Sequence, residues 1–239
     1  MGATVSVMRR ELGAYFNTPI GYVFIVFFLL VSCYQFADVI FIENSADMRG
    51  FFNMMPLLFI IFVPAISMRL WAEERKLGTL ELLLTMPVKT WQAVIGKFLA
   101  GMLFIAVTLA LTFHIPIMLK FLGNPDMGPI IGGYMGAMIM GMIYLSIGAF
   151  ASSLTGDQIV AFVIATSICL IIFLMGEQAT LDWIKDFSPT VARVVERFGV
   201  AYHFGSICRG VIDTRDIIYA VTMTGLFLLL NILVIERRR

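Results

Sequence analysis

Six apolar runs, at residues 20–42, 51–70, 93–119, 130–154, 158–176 and 217–235, fill most of the chain, and each is long enough to cross a hydrocarbon core of about 30 Å as a helix. Inside a bilayer every backbone amide and carbonyl must find its partner within the protein, which leaves helices or closed barrels as the spanning structures. Runs of this length without alternation of polar and apolar residues select helices. Composition closes off the soluble alternative. The chain is 60% apolar and 14% charged, whereas soluble domains are about 45–50% apolar and about 25% charged. The expectation is an all-α integral membrane protein, one domain over 1–239, with six transmembrane helices.

An even number of spans places both ends of the chain on one side. Arg9, Arg10, Arg237, Arg238 and Arg239 flank the ends, and Arg69, Arg75, Lys76, Lys89 and Lys97 lie between the second and third runs. These ten cations face seven on the other side: Arg49, Lys120, Lys185, Arg193, Arg197, Arg209 and Arg215. The positive-inside rule therefore puts both termini in the cytoplasm. A net charge of +1 offers no basic field for nucleic acid. The three cysteines, Cys33, Cys169 and Cys208, form no C-x-x-C or Cys/His cluster, so neither a disulfide framework nor a zinc site is supported.

Two segments outside the runs carry helical periodicity. In 1–19, Val5, Met8, Leu12, Tyr15 and Phe16 share one face, with Arg9, Arg10, Glu11 and Asn17 on the other. This suits an interfacial amphipathic helix that ends before Pro19. In 177–216, Ser188-Pro189 is an N-cap and N1 pair, and Val191, Val194, Val195 and Phe198 recur at helical spacing until Gly199. Short amphipathic helices on the periplasmic side follow, with Trp183 and Phe187 as interfacial anchors. Asp213 or Thr214 can cap the last span. In the fourth run, Gly132-x-x-x-Gly136 and Ala137-x-x-x-Gly141 let another helix approach closely, within the chain in preference to a dimer seam.

Ionisable residues inside spans mark ion or proton pathways, and here they are sparse. Asp38 lies near the end of the first run and Lys120 can snorkel from the third. His114, two residues before Pro116, reads as a packing or capping residue for a carbonyl that the proline leaves unpaired, with contact to a substrate path as the alternative. Gly96-Lys97 is the only Gly-Lys pair. Phe98 follows it where Ser or Thr would hold magnesium, and Trp91 stands where the earlier glycine belongs, so no phosphate loop exists here. ATP chemistry requires another subunit. The segment 72–92 is both charged and oily, and Thr79 to Thr85 favours a short helix that stops before Pro87. Its leucines call for a partner surface or for the membrane interface.

This segment resembles the coupling-helix region of ABC-2 type transporter permeases, roughly E-E-R-x-x-G-T-x-E-x-L-L-x-x-P, filled here by Glu73, Glu74, Arg75, Gly78, Thr79, Glu81, Leu83, Leu84 and Pro87. Residues 15–22 look like the family's N-terminal connecting helix. Residues 153–162, Tyr202-His203-Phe204 and 209–216 are similar to the gliding-motility-associated branch, related to the permease of the nitrous oxide reductase maturation transporter. The resemblance implies two permease subunits, identical or homologous, in a bacterial inner membrane, with a separate ATPase on each that holds ATP and magnesium. It implies a cytoplasmic coupling helix between helices two and three that docks into the ATPase, with Gly156, Asp157 and Gln158 as a second contact. No large periplasmic domain is present, so a periplasmic partner subunit would supply one. The chain itself would be non-catalytic, serving export or mechanical work on the envelope. A self-sufficient carrier or channel using His114 and Asp38, and a structural scaffold, are the alternative readings.

Overall fold

The computed structural model describes residues 2–43, 48–79, 89–123, 126–208, 210 and 213–237. Among the described residues it is helical throughout, with no strand. The helices, in chain order, are α1 (Ala3–Asn17), α2 (Pro19–Glu43), α3 (Arg49–Ser67), α4 (Arg69–Lys76), α5 (Thr90–Leu111), α6 (His114–Leu122), α7 (Met127–Leu154), α8 (Gln158–Leu174), α9 (Gln178–Phe187), α10 (Pro189–Phe198), α11 (Val200–Cys208) and α12 (Thr214–Glu236).

Five helical stretches are long and apolar enough to cross a membrane: 19–37 in α2, α3 with α4, α5 with most of α6, α7 and α12. A sixth results if α8 and α9, bent by 64° at their junction, count as one span. One of the three interruptions traces to proline. Pro56 and Pro64 lie inside α3, which runs on through both to Ser67. The turn at Met68 follows, and Ser152 of α7 mends it. Its hydroxyl donates to Met68 O at 2.6 Å and accepts from the Trp71 and Ala72 amides at 3.0 and 3.1 Å. These are donors that the start of a new helix leaves unpaired.

The break between α5 and α6 is the one that traces to proline, which removes one ladder hydrogen bond. Pro116 cannot donate to Thr112 O, and Tyr134 of α7 donates to that carbonyl at 3.1 Å. His114 was expected to serve it; instead its Nδ1 lies 2.8 Å from Leu111 O. The tyrosine reaches the carbonyl from across the helix interface, a relation that the local sequence does not carry.

The core gathers around α7, against which α3, α5, α8, α11 and α12 pack. Its small residues make this possible. Gly133 faces the ring of Phe52, Gly136 that of Phe204, and Gly141 lies between Ile105 and Phe59. The small-residue stripe is thus spent within one chain. Phe28, Phe51, Phe52, Phe59 and Phe104 are fully buried in the same cluster. By contrast α2 and α12 leave most of their surface uncovered, with Val23, Phe27, Leu30, Ile218 and Leu229 exposed.

Beyond α8 the chain turns back on itself. Gly176 and Gly199 touch backbone to backbone: a Cβ built on Gly199 would come within 2.1 Å of Gly176 Cα and N. Only a residue without a Cβ permits this approach. The helix from Pro189 to Phe198, with its proline in the first turn and Gly199 after it, has the bounds expected from the sequence, although the Ser188 side chain makes no capping hydrogen bond. Asp213 caps α12 by accepting from the Arg215 amide at 3.0 Å.

Candidate functional site

At the end of the bundle where α1, the tail of α4 and the start of α5 meet, the chain buries a lysine. Lys97, in the second turn of α5, is only 1% exposed. Its ammonium has three protons to place, and three acceptors meet it: Glu11 Oε1 at 2.9 Å, Glu74 Oε1 at 3.0 Å and Leu70 O at 2.7 Å. It also lies over the ring of Trp71, 4.8 Å from the centroid, a favourable seat for a cation. Arg10 closes the circuit, reaching Glu11 at 2.9 Å and Glu74 at 2.8 Å. Three elements distant in sequence are therefore tied through one nitrogen.

Neighbouring groups extend the network. Arg69 pairs with Glu73 at 3.3 Å and lies over the Tyr15 ring at 5.5 Å, while the Tyr15 hydroxyl donates to Ile66 O at 3.2 Å. Burial pushes the Glu11 carboxyl up, but the Lys97 ammonium and the Arg10 guanidinium outweigh it and hold Glu11 below the usual carboxylate range. Burial, and then the Glu11 charge, push the Tyr15 hydroxyl up, so it stays a neutral donor. A cavity of about 400 Å³ opens here, lined by Arg10, Glu11, Arg69, Glu73, Glu74 and Lys97 among others. Its charges balance, three against three, which suits a structural junction better than an ion trap.

The segment expected to couple to an ATPase leaves from this junction. Residues 72–76, expected within a projecting loop, instead continue as α4, with Trp71 and Ala72 buried, because Ser152 holds the helix against α7. The helix ends at a left-handed Gly78, φ 69°, where Leu77 N donates to Glu73 O at 3.0 Å and Gly78 N to Arg75 O at 3.2 Å. The Thr79 hydroxyl donates to Glu74 O at 3.2 Å. Glu81, Leu83, Leu84 and Pro87 lie outside the described residues, as do the side chains of Asp38 and Phe187.

The remaining expected residues divide. Arg75 donates to Leu154 O at 2.9 Å and its stem lies where a Cβ on Gly156 would touch it, at 3.5 Å. The two expected contact regions are thus neighbours. Asp157 caps α8, accepting from Ile159 N at 2.8 Å and Val160 N at 3.2 Å, and Gln158 opens that helix half-buried. His114 is separate: it lies roughly 25 Å along the helix axis from Lys97, is exposed, and its Nε2 is 3.4 Å from Cys33 Sγ. Among the described residues no cluster of His, Cys, Asp or Glu could hold a metal ion.

Sequence reasoning missed Glu11 and Lys97. Glu11 was placed on the polar face of α1 and Lys97 among the cations of the inner loop. The usable signal was that Lys97 falls inside the run 93–119, where a charge requires a partner.

A bundle of five or six apolar spans with α7 at its centre and a polar junction at one end defines a multi-pass membrane protein. The chain belongs to the ABC-2 family of transporter proteins, whose model matches residues 28–235. It is accordingly a permease subunit of an ATP-binding-cassette transporter, a family that works with an ABC ATPase. The match takes in α4, Lys97 and Gly156 to Gln158, whereas Arg10 and Glu11 precede it. A comparison with curated proteins found no match.

Proposed function

We propose that the chain couples ATP hydrolysis on a separate ATPase to movement of its own spans, through the segment that begins at Gly78 and returns at Lys89. The observation that carries this reading is the Lys97 junction. The base of the segment is ion-paired at once to α1 and to α5, so a push on it is delivered to two elements and not absorbed by a loose loop. Glu81, Leu83 and Leu84 meet the ATPase, Pro87 ends the contact, and Gly156, Asp157 and Gln158 form the smaller second contact beside Arg75. ATP and magnesium stay on the partner.

In this reading α8 completes a six-span subunit with both termini in the cytoplasm of a bacterial cell, set in its inner membrane. Two permease copies, or two homologues, pair with two ATPases, and the largely uncovered faces of α2 and α12 meet lipid or the second copy. The 177–216 helices face the periplasm, where a partner subunit of the gliding-associated type docks and His114 borders any substrate path. Closure of the ATPase pair favours one arrangement of the spans over the other, as any effector must to shift an equilibrium. The output is export or mechanical work on the envelope.

Co-purification with the ATPase tests this. Glu81→Arg and Leu83→Asp should abolish association while membrane abundance is unchanged. Normal stoichiometry in both variants overturns the assignment.

A further inference from the structure

At the end of the bundle opposite the Lys97 junction the chain holds a second polar cavity, of about 390 Å³, between the last turn of α10, one face of α11 and the first turns of α12. The two ends are well separated. Phe204 of α11 lies against Gly136 of α7, and the Trp71 amide bonds to Ser152 of the same helix, roughly 24 Å further along its axis. The volume falls in the range of small-ligand sites, about 300–1,000 Å³.

Its lining differs from that of the junction in one respect: here the cations are unanswered. Arg197 of α10 and Arg215 of α12 border the cavity and are exposed, and among the described residues neither guanidinium has an ion pair or a hydrogen-bond acceptor. Arg215 stands in the first turn of α12, where the helix dipole disfavours a cation and the free amides attract an anion. Folding alone does not reward it there. Tyr202 and Ser206, one turn apart on α11, add two hydroxyls that likewise bond to no described group. Two guanidinium forks and two hydroxyls around one space form a donor set suited to a phosphate group.

The same cavity carries acceptors. Asp213 is occupied, capping α12 through the Arg215 amide at 3.0 Å. Asp216 is occupied by half: Oδ1 lies 2.6 Å from His203 Nδ1, while Oδ2 is buried without a partner, on a residue only 3% exposed. Tyr219 does not serve it, because its hydroxyl donates to Phe198 O at 2.6 Å. Buried polar groups in folded proteins are met by a partner, and the cavity is the space from which one can come. With two guanidinium and two carboxyl groups around it, the cavity selects a ligand that carries both charges over a simple anion or cation.

We propose that this cavity binds an aminophosphate group, its phosphate on Arg197 and Arg215 and its ammonium on Asp216 Oδ2, and that the group is the headgroup of phosphatidylethanolamine. Depth selects the lipid over a soluble aminophosphate. The cavity lies at the first turn of a span, where the hydrocarbon gives way to headgroups, and Tyr202, 48% exposed, is of the type that lines that boundary. The acyl chains follow the uncovered face of α12, where Ile218, Val221 and Leu229 are exposed. Choline lacks the N–H that Oδ2 requires, and a glycerol headgroup lacks the positive charge. The site is remote from the segment proposed to meet an ATPase and stands whether or not that segment couples.

Native mass spectrometry of the full chain, released from detergent carrying equal amounts of phosphatidylethanolamine, phosphatidylcholine and phosphatidylglycerol, counts what stays bound. One phosphatidylethanolamine per chain should be retained at least about tenfold over either of the others, the weight of one hydrogen bond to a charged group. The double change Arg197→Gln, Arg215→Gln, at exposed positions that break no side-chain contact, should remove that excess. Asp216→Asn should keep a bound lipid but lose the preference for phosphatidylethanolamine over phosphatidylcholine. If that variant fails to insert, N-acetylated phosphatidylethanolamine given to the wild type decides: without the ammonium it should bind no better than phosphatidylglycerol. Equal retention of the three lipids by the wild type, undiminished preference in the double-arginine variant, or tight binding of the N-acetylated lipid overturns the proposal. Soluble glycerophosphoethanolamine should displace the lipid only in large excess, and displacement at parity would overturn the lipid as the source of the group.

Discussion

Lys97 occupies a position where a lysine survives only because each of its donors is met. Its two carboxylate partners depend on it in turn, so the damage from Lys97→Met extends beyond one lost contact. Removing one member of a buried pair costs about 3–5 kcal/mol. Lys97→Met should destabilise the protein by that order in thermal unfolding in detergent, and the triple change Lys97→Met, Glu11→Gln, Glu74→Gln should recover most of the loss. The Glu11 carboxyl, held low in the folded state, contributes stability that is fully present above about pH 4, the ordinary glutamate range. That contribution is lost as pH falls through the lowered value. Protease susceptibility of α1 should accordingly rise on acidification in the wild type, and much less so in Glu11→Gln. Neither partner of Lys97 could be read from periodicity. A face assignment along α1 separates polar from apolar, and Glu11 is polar yet inward because its counter-charge is 86 residues away.

At the scale of elements, the helices were legible and their junctions were not. Five of the six apolar runs fall on stretches long and apolar enough to cross a membrane, since burial in lipid needs only length and apolarity, and the sixth, 158–176, falls on the 17-residue α8. What continues α3 into α4 is Ser152, and what supports the break after α5 is Tyr134, both on α7 and both outside any local window. Ser152→Ala removes the partner of two amides and a carbonyl, at a cost of about 1–3 kcal/mol for buried groups left unpaired. The effect should be local: faster exchange of the Trp71 and Ala72 amides, with the ends of α7 unaffected. Gly78 was legible as a family feature, and the left-handed turn supplies its reason. Gly78→Val, at a site with open space around the Cβ, should fail through backbone strain, costing about 1–2 kcal/mol. Slower ATP turnover by the complex, without loss of ATPase binding, is the expected readout.

For the whole molecule, the class followed from composition, whereas the charged junction needed the folded chain. Leu77 and Trp183, at 68% and 73% exposed, lie at opposite ends of the bundle and give a direct test of sidedness. In a background with Cys33→Ser, Leu77→Cys should label from the cytoplasmic face and Trp183→Cys from the other. Cys208 interferes little, because burial pushes its thiol up to about 12 and little thiolate forms. Labelling of both sites from one face would contradict the six-span arrangement.

The bend after Leu174 has a consequence for the lipids themselves. Taken as a span, α8 has 17 residues and rises roughly 25 Å, about 5 Å short of a typical hydrocarbon core. The backbone contact of Gly176 with Gly199 prevents the helix from lengthening to make up the difference. The adjacent leaflet must dimple to meet it, at a cost of fractions of a kcal/mol per Å. Phosphate headgroups are thereby drawn below the plane of their neighbours along this one flank of the protein, where acyl chains are shortest and a single phospholipid is easiest to tilt.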